Sequence, residues 1–146
     1  MTTLRPILFL AIVFALPACG GDDGEETGSA CEVADDCYDD LEVELRDEIV
    51  GEIECLTRVE GGYCTHFCET DADCCAVEGE CDTDLPQVCS PFENSDQKRC
   101  FLACEEDNIG DLEENEFCQE NAHESFLCRS SGGGDQNRKV CVPDGA

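Results

Sequence analysis

Apolar residues recur at every fourth position in one stretch of the chain, residues 39–56. The residues with this spacing are Leu41, Leu45, Ile49 and Ile53, and acidic residues stand between them. This period places the apolar side chains on one face of an α-helix. Gly51 is a poor helix residue, and the opening run LEVEL also alternates as a strand would. We nevertheless predict a helix over residues 39–56.

A weaker helical pattern follows nearer the C-terminal end. Residues 112–121 place Leu112 and Phe117 on a thin apolar face among acidic and amide side chains. We predict a second, short helix here.

Three segments between consecutive cysteines carry turn-forming residues near their middle. These segments run between Cys55 and Cys64, between Cys89 and Cys100, and between Cys128 and Cys141. Gly, Ser, Asn and Asp flanked by short extended runs are typical of β-hairpins. The predicted strands lie near Leu56–Val59, Gly62–Thr65, Gln97–Leu102 and Arg138–Val142.

The cysteine spacing itself repeats. A C-x5-C step occurs at Cys31–Cys37 and again at Cys68–Cys74, and a C-x3-C step occurs at Cys64–Cys68 and at Cys100–Cys104. The first cysteines of successive repeats are 37 and 36 positions apart. A fixed period of this size indicates repeated structural units. Because three residues are too few for a flexible linker, we expect neighbouring units to pack rigidly.

These repeats divide the chain into three cysteine units, residues 31–64, 68–100 and 104–146. The units hold four, six and four cysteines, so each can close through disulfides of its own, with the connectivity left open. The cysteines predicted to pair are Cys31, Cys37, Cys55, Cys64, Cys68, Cys74, Cys75, Cys81, Cys89, Cys100, Cys104, Cys118, Cys128 and Cys141. The predicted fold class is small and disulfide-rich, with three tandem units of short β-hairpins and loops and one helix near 39–56.

Composition explains why disulfides are needed. Without its first 18 residues the chain has 36 acidic and seven basic residues, a net charge of −29. Leu, Ile, Val and Phe make up 23 of the remaining 128 residues, which together with this charge is typical of a disordered chain. Cross-links contribute roughly 2–4 kcal/mol each by restricting the unfolded chain. The acidic balance argues against nucleic-acid binding, which needs clustered Lys and Arg.

The N-terminus indicates export. Residues 1–18 combine Arg5 with an apolar run from Ile7 to Leu16, which suits a signal peptide and is too short to span a bilayer. The run ends in LPACG, where Cys19 follows a small residue and lies three positions after a leucine. Residues 19–30 are glycine-rich and acidic, as in a flexible tether. Ordinary secretion, with cleavage after Gly20, is the alternative.

Calcium is the more plausible of two metals. Asp71 and Asp73 alternate within a loop bounded by Cys68 and Cys74, and hard cations prefer several carboxylate and carbonyl oxygens. The alternative is that these aspartates cap a turn. Zinc and iron–sulfur sites are disfavoured because C-x2-C steps are absent.

Catalysis finds little support in the sequence. No nucleophile elbow, zinc-protease, dinucleotide-binding or P-loop motif occurs. His66 stands between two cysteines as a spacer, and His123 lies in a polar stretch. We expect a protein that is not an enzyme and needs no cofactor other than, at most, calcium.

Three parts of this chain resemble the small cysteine-rich lipoproteins common in myxobacteria and related predatory bacteria. These parts are Leu16–Gly20, Cys31–Cys37 and Gly62–Cys74. This resemblance implies lipidation at Cys19 and an outer-membrane or cell-surface location. It transfers no defined activity. The C-x-x-D-x-D-C-C run also resembles Dickkopf-type and whey-acidic-protein-type domains, which are extracellular binders or protease inhibitors.

Two functions follow as hypotheses. The first is an exported, lipid-anchored, acidic binding or structural module, attached to the membrane through its lipid and facing an extracellular protein or polysaccharide. The second is a secreted inhibitor or calcium-binding domain, in which the loop Ser90–Arg99 presents Lys98 and Arg99 to a protease.

Overall fold

The computed structural model describes residues 27–81, 85–91, 96–131 and 137–144. Within these ranges the chain forms six short strands, two α-helices and two three-residue 3-10 helices, Ala34–Asp36 and Asp71–Asp73. The strands are β1 (Ile53–Cys55), β2 (Cys64–Cys68), β3 (Gln87–Pro91), β4 (Lys98–Leu102), β5 (Phe126–Ser130) and β6 (Lys139–Pro143), and the helices are α1 (Val43–Arg46) and α2 (Glu114–Asn121). The predicted signal peptide, Cys19 and residues 20–26 of the predicted tether lie outside the described residues.

Seven disulfides cross-link these short elements, which confirms the predicted small disulfide-rich fold. The bonded pairs are Cys31–Cys55, Cys37–Cys64, Cys68–Cys89, Cys74–Cys100, Cys75–Cys81, Cys104–Cys128 and Cys118–Cys141. Every bond joins two cysteines of the same unit. In the first and third units the first cysteine bonds to the third and the second to the fourth, and the second unit adds the short loop closed by Cys75 and Cys81.

The three predicted hairpins are present. In each hairpin two cysteines stand directly opposite each other, as Cys55 does to Cys64, Cys89 to Cys100, and Cys128 to Cys141. These facing cysteines bond to other partners, so each hairpin is tied at both strands to the segment before it. The predicted strands near 97–102 and 138–142 agree with β4 and β6.

Two predicted strands were wrong in position. Residues 56–59 form a turn, in which Val59 N donates to Leu56 O over 3.1 Å, and the strand lies before it in β1. The strand predicted at 62–65 lies at 64–68 instead, because Gly62 N donates to Val59 O over 2.9 Å and closes the same turn. The hairpin was therefore correct and its strand limits were displaced.

The first two hairpins share one sheet, in the strand order β1-β2-β4-β3. Their second strands meet, with Phe67 opposite Arg99 and Cys68 opposite Lys98. The third hairpin joins through a bridge between Ala103 and Val140 and through Cys104 N, which donates to Lys139 O over 3.0 Å. The two C-x3-C steps are thus extended chain that belongs to two neighbouring units at once.

The helix predicted over 39–56 is corrected to the four residues of α1. Gly51 has φ +87°, and a Cβ there would lie 2.1 Å from Phe67 O, so the chain turns sharply at this point and continues as β1. The apolar residues at every fourth position are still the ones that face the interior. Ile49 is buried, and Leu41, Leu45 and Ile53 pack against the same cluster. The second helix prediction agrees with α2, whose Phe117 and Cys118 are buried.

The largest hydrophobic cluster draws on all three units. Tyr63 of the first unit lies 6.0 Å from Phe101, which follows the last cysteine of the second unit, and 4.8 Å from Phe126 of the third, measured between ring centroids. All three rings are almost fully buried. Leu56, Val88, Phe117 and Val140 complete much of this cluster. The units are therefore packed around one shared core.

Candidate functional site

The first two units open with the same turn, and an aspartate closes it. In the first unit Asp36 Oδ2 accepts from Glu32 N at 2.8 Å and Val33 N at 3.0 Å. In the second unit Asp73 Oδ2 accepts from Glu69 N and Thr70 N, both at 2.8 Å. These backbone donors hold the pKa of each aspartate below its ordinary value. Asp73 therefore caps a turn, which is one of the two roles that the sequence left open.

The neighbouring Asp71 connects the second unit to the third. Its Oδ1 accepts from Cys89 N over 3.0 Å, and its Oδ2 forms an ion pair with Arg138. The same guanidinium donates to both carboxylate oxygens of Glu105, at 2.6 and 3.0 Å. This hydrogen-bonded Arg138 lowers the pKa of Glu105. Calcium binding at Asp71 and Asp73 stays a prediction, in which the ion competes with these donors.

Cysteine sulfurs of the described residues gather in three tight groups, each within 4.8 Å. The groups are Cys31, Cys37 and Cys64; Cys68, Cys74 and Cys100; and Cys104, Cys118 and Cys128. Every sulfur in them is part of a disulfide. Since metals bind the thiolate, these groups offer ligands only after reduction.

His66 is buried against a carboxylate that the sequence analysis did not single out. Its Nε2 lies 2.7 Å from Glu80 Oε1, and both side chains are fully buried. Its Nδ1 lies 2.7 Å from Val50 O and 3.0 Å from Phe67 O. A ring that donates from both nitrogens satisfies all three acceptors, and the Glu80 carboxylate accepts two further N–H groups. The arrangement therefore selects an imidazolium paired with a carboxylate.

The pKa shifts of this pair agree with its geometry. Burial alone lowers the pKa of His66, but the hydrogen bond and charge of Glu80 outweigh burial and leave that pKa raised. Burial alone raises the pKa of Glu80, but His66 and the N–H groups of Val77 and Cys75 leave it lowered. His66 is therefore a structural ion-pair partner as well as a spacer. No local pattern marks Glu80, which lies 14 residues away in the chain.

His123 has a different environment. Its Nε2 donates to Glu60 O over 2.8 Å, and its Nδ1 accepts from Ser125 N over 3.1 Å. The ring lies 5.5 Å from the Phe126 ring. These contacts tie the third unit to the turn of the first.

Lys98 and Arg99 lie in strand β4, between β2 and β3. Arg99 forms an ion pair with Glu54, and its guanidinium carbon lies 4.7 Å from the centre of the Phe67 ring. Residues 92–95 of the predicted inhibitory loop lie outside the described residues. The entry of these two cations into a protease site stays a prediction.

One recess in the described surface is a groove of about 520 Å³ beside β1. One wall is the start of the first turn, Glu32–Ala34, and the other is the segment Glu52–Cys55. The Phe67 side chain contributes to its lining, and Val33, which is 55% exposed, contributes an apolar wall. We refer to this recess as the β1 groove. Neither Asp71 nor Asp73 lines it.

The β1 groove includes an open sheet edge. Phe67 N donates to Glu52 O and Leu56 N donates to Tyr63 O, so the even-numbered residues of this segment direct their backbone groups toward β2. The backbone groups of Ile53 and Cys55 consequently point away from β2. Within the described residues, Ile53 N and Cys55 N have no acceptor outside the strands, whereas Cys55 O accepts from Thr57 N over 3.0 Å. This is the form of edge to which another chain can add a strand.

No protein-family model, curated protein or solved structure matches this chain. None of the helices in the described part of the chain has the length and apolar character needed to cross a bilayer. The functional conclusion therefore depends on the sequence and on the geometry above.

Proposed function

We propose that this chain is an exported, lipid-anchored surface protein that acts as a rigid, acidic binding module. Cys19 carries the lipid, residues 20–30 form the tether, and the three cysteine units form the displayed module. The outer membrane or the cell surface is the location, since Gly20 follows Cys19 where an aspartate retains lipoproteins in the inner membrane of enteric bacteria. The partner is an extracellular protein or polysaccharide.

The observation that carries this proposal is the shared core of the three disulfide-closed units. Tyr63 belongs to the first unit, Phe101 lies between the second and third units, and Phe126 belongs to the third. Their rings pack together. Such a body keeps its surface fixed without needing a large apolar core, and disulfides of this density are typical of exported domains. A rigid surface loses little conformational entropy on binding. The β1 groove supplies that surface with a recess.

Membrane fractionation of the Cys19→Ala variant tests the anchor. The wild type should sediment with membranes and incorporate labelled palmitate, and Cys19→Ala should lose the label and appear in the soluble exported fraction. Gly21→Ala, which leaves the LPACG run intact, should behave as wild type. A Cys19→Ala protein that stays with membranes would rule out this anchor, and an unlabelled soluble wild type would favour ordinary secretion.

A further inference from the structure

Strand β1 lies at the edge of its four-stranded sheet. Exposed edges invite pairing with other chains, and proteins commonly protect them with charge. Here the protection is electrostatic, because every copy carries the −29 charge predicted for the exported chain. Two copies repel each other. The edge is thus open to a partner of opposite charge and closed to self-association.

The charges next to the β1 groove have the sign that such a partner needs. Glu32, Glu52 and Glu54 all line it. Arg99 neutralises Glu54, but no ion pair is present at Glu32 or Glu52 among the described residues. Glu32 and Glu52 are exposed and stand on opposite walls. A cationic side chain between them would be attracted by both.

The apolar part of the β1 groove indicates the form of the ligand. Val33 and Phe67 offer contacts to an apolar side chain, while the N–H and C=O groups of Ile53 offer hydrogen bonds to a backbone. A strand added to a sheet edge uses both kinds of contact, since its side chains alternate between the two faces. The volume of about 520 Å³ suits a segment of a few residues.

We propose that the β1 groove binds an extended, lysine- or arginine-bearing peptide segment of an extracellular partner protein, which pairs with β1 as a fifth strand. This inference rests on the proposed function as a binding module and names the chemistry of its partner. Backbone pairing at both groups of Ile53 and at the N–H of Cys55 provides the register, since Cys55 O already accepts from Thr57 N. Glu32 and Glu52 select positive charge.

The test is a titration of the isotope-labelled exported chain, made soluble by Cys19→Ala, with an octapeptide of alternating lysine and valine. NMR should show the amide signals of Ile53 and Cys55 shifting most. The same peptide with every backbone nitrogen methylated should not bind, because methylation then removes all the donors of the added strand. A glutamate–valine octapeptide should not bind either.

Charge reversals of the protein provide a matched pair. Glu52→Lys should weaken binding about tenfold. Glu120→Lys makes the same charge change on the exposed surface of α2 and should change the dissociation constant by less than about twofold. If Glu52→Lys fails to fold, the methylated peptide still decides the outcome, since it leaves the protein unaltered.

Four results would overturn the inference: equal weakening by the two reversals, equal binding of the methylated or the glutamate peptide, shifts centred away from β1, or dimerisation through β1. If the lysine peptide does not bind but anchoring still depends on Cys19, the proposed class of partner is wrong and the lipid-anchored module stands. A soluble, unlipidated wild type that still binds the lysine peptide would instead remove the anchor and keep the β1 groove.

Discussion

His66 Nε2 and Glu80 Oε1 lie 2.7 Å apart, and neither side chain is exposed to solvent. The same carboxylate accepts from Cys75 N at 2.8 Å and Val77 N at 3.0 Å. It therefore fastens the loop closed by Cys75 and Cys81 onto β2, where His66 lies. The chain has very few basic residues, and the charge of one of them, His66, lies in the interior beside the opposite charge of Glu80.

Removing one partner of this pair should destabilise the protein strongly. Glu80→Gln leaves the protonated His66 without its counter-charge, and breaking a buried pair in this way costs about 3–5 kcal/mol. Urea denaturation measures the fall in the free energy of unfolding. Glu78→Gln, two residues away at an exposed position, should change it by less than about 0.5 kcal/mol. Equal effects of the two substitutions would contradict the buried ion pair.

The free energy of unfolding should fall on both sides of a pH window. His66 has a raised pKa in the folded protein, so its contribution is complete below the unfolded value of about 6.5 and is lost as pH rises through the folded pKa. Glu80 has a lowered pKa, so its contribution is present above the unfolded value of about 4.3 and is lost as pH falls through the folded pKa.

Denaturant titrations from about pH 2 to about pH 9 test both sides of this window. His66→Gln should abolish the decline above neutral pH, whereas His123→Gln, which lies outside the buried pair, should preserve it. A decline that survives in His66→Gln would assign the pH dependence to other groups.

Calcium can be tested with equivalent positions in the two repeated turns. Asp36 and Asp73 make the same backbone contacts, whereas the position of Asp71 is occupied by Ala34 in the first unit. Both Asp36→Ala and Asp73→Ala should lower the melting temperature without calcium, because each loses a turn cap. If Asp71 and Asp73 bind calcium, millimolar calcium should raise the melting temperature of Asp36→Ala more than that of Asp73→Ala. Equal rises would indicate general screening of the acidic surface.

Alanine substitutions at two glycines can distinguish the cost of steric crowding from the cost of an unfavourable backbone conformation. Gly51 and Gly61 have φ +87° and +83°, but a Cβ at Gly61 meets nothing within 4 Å, whereas one at Gly51 meets the Phe67 carbonyl. Gly61→Ala should cost about 1–2 kcal/mol, the penalty of a left-handed conformation. Gly51→Ala should cost clearly more, because β2 must move. Similar losses on thermal unfolding would show that the chain near Gly51 is less tightly packed than the structure indicates.

Much of the architecture could be read from the cysteines and turn residues. The facing pairs Cys55–Cys64 and Cys89–Cys100 follow from turn formers between extended runs. The helix predicted over residues 39–56 was wrong. The spacing of apolar residues indicates which side chains are buried, but it does not determine the backbone conformation of the segment that carries them. Leu41, Leu45, Ile49 and Ile53 all pack into one cluster, but disulfides and the turn at Gly51 determine the path between them.

The candidate site was harder to predict. Glu80 is one acid among 36, and only tertiary packing brings it to His66. The β1 groove likewise joins Glu32 to Glu52 across 20 positions of chain, and it depends on which strand lies at the sheet edge. Sequence patterns specify strand content here, whereas sheet order comes from contacts such as Phe67 with Arg99.

The central claim is that three cysteine units, each closed by its own disulfides, form one folded body. Proteolysis of the native exported protein without reduction, followed by mass spectrometry of the linked peptides, tests it most directly. We predict seven bridges confined to residues 31–64, 68–100 and 104–141, with Cys31 bound to Cys55 and Cys118 to Cys141, and no free thiol among these cysteines. A bridge that joins cysteines from two of these ranges would contradict it.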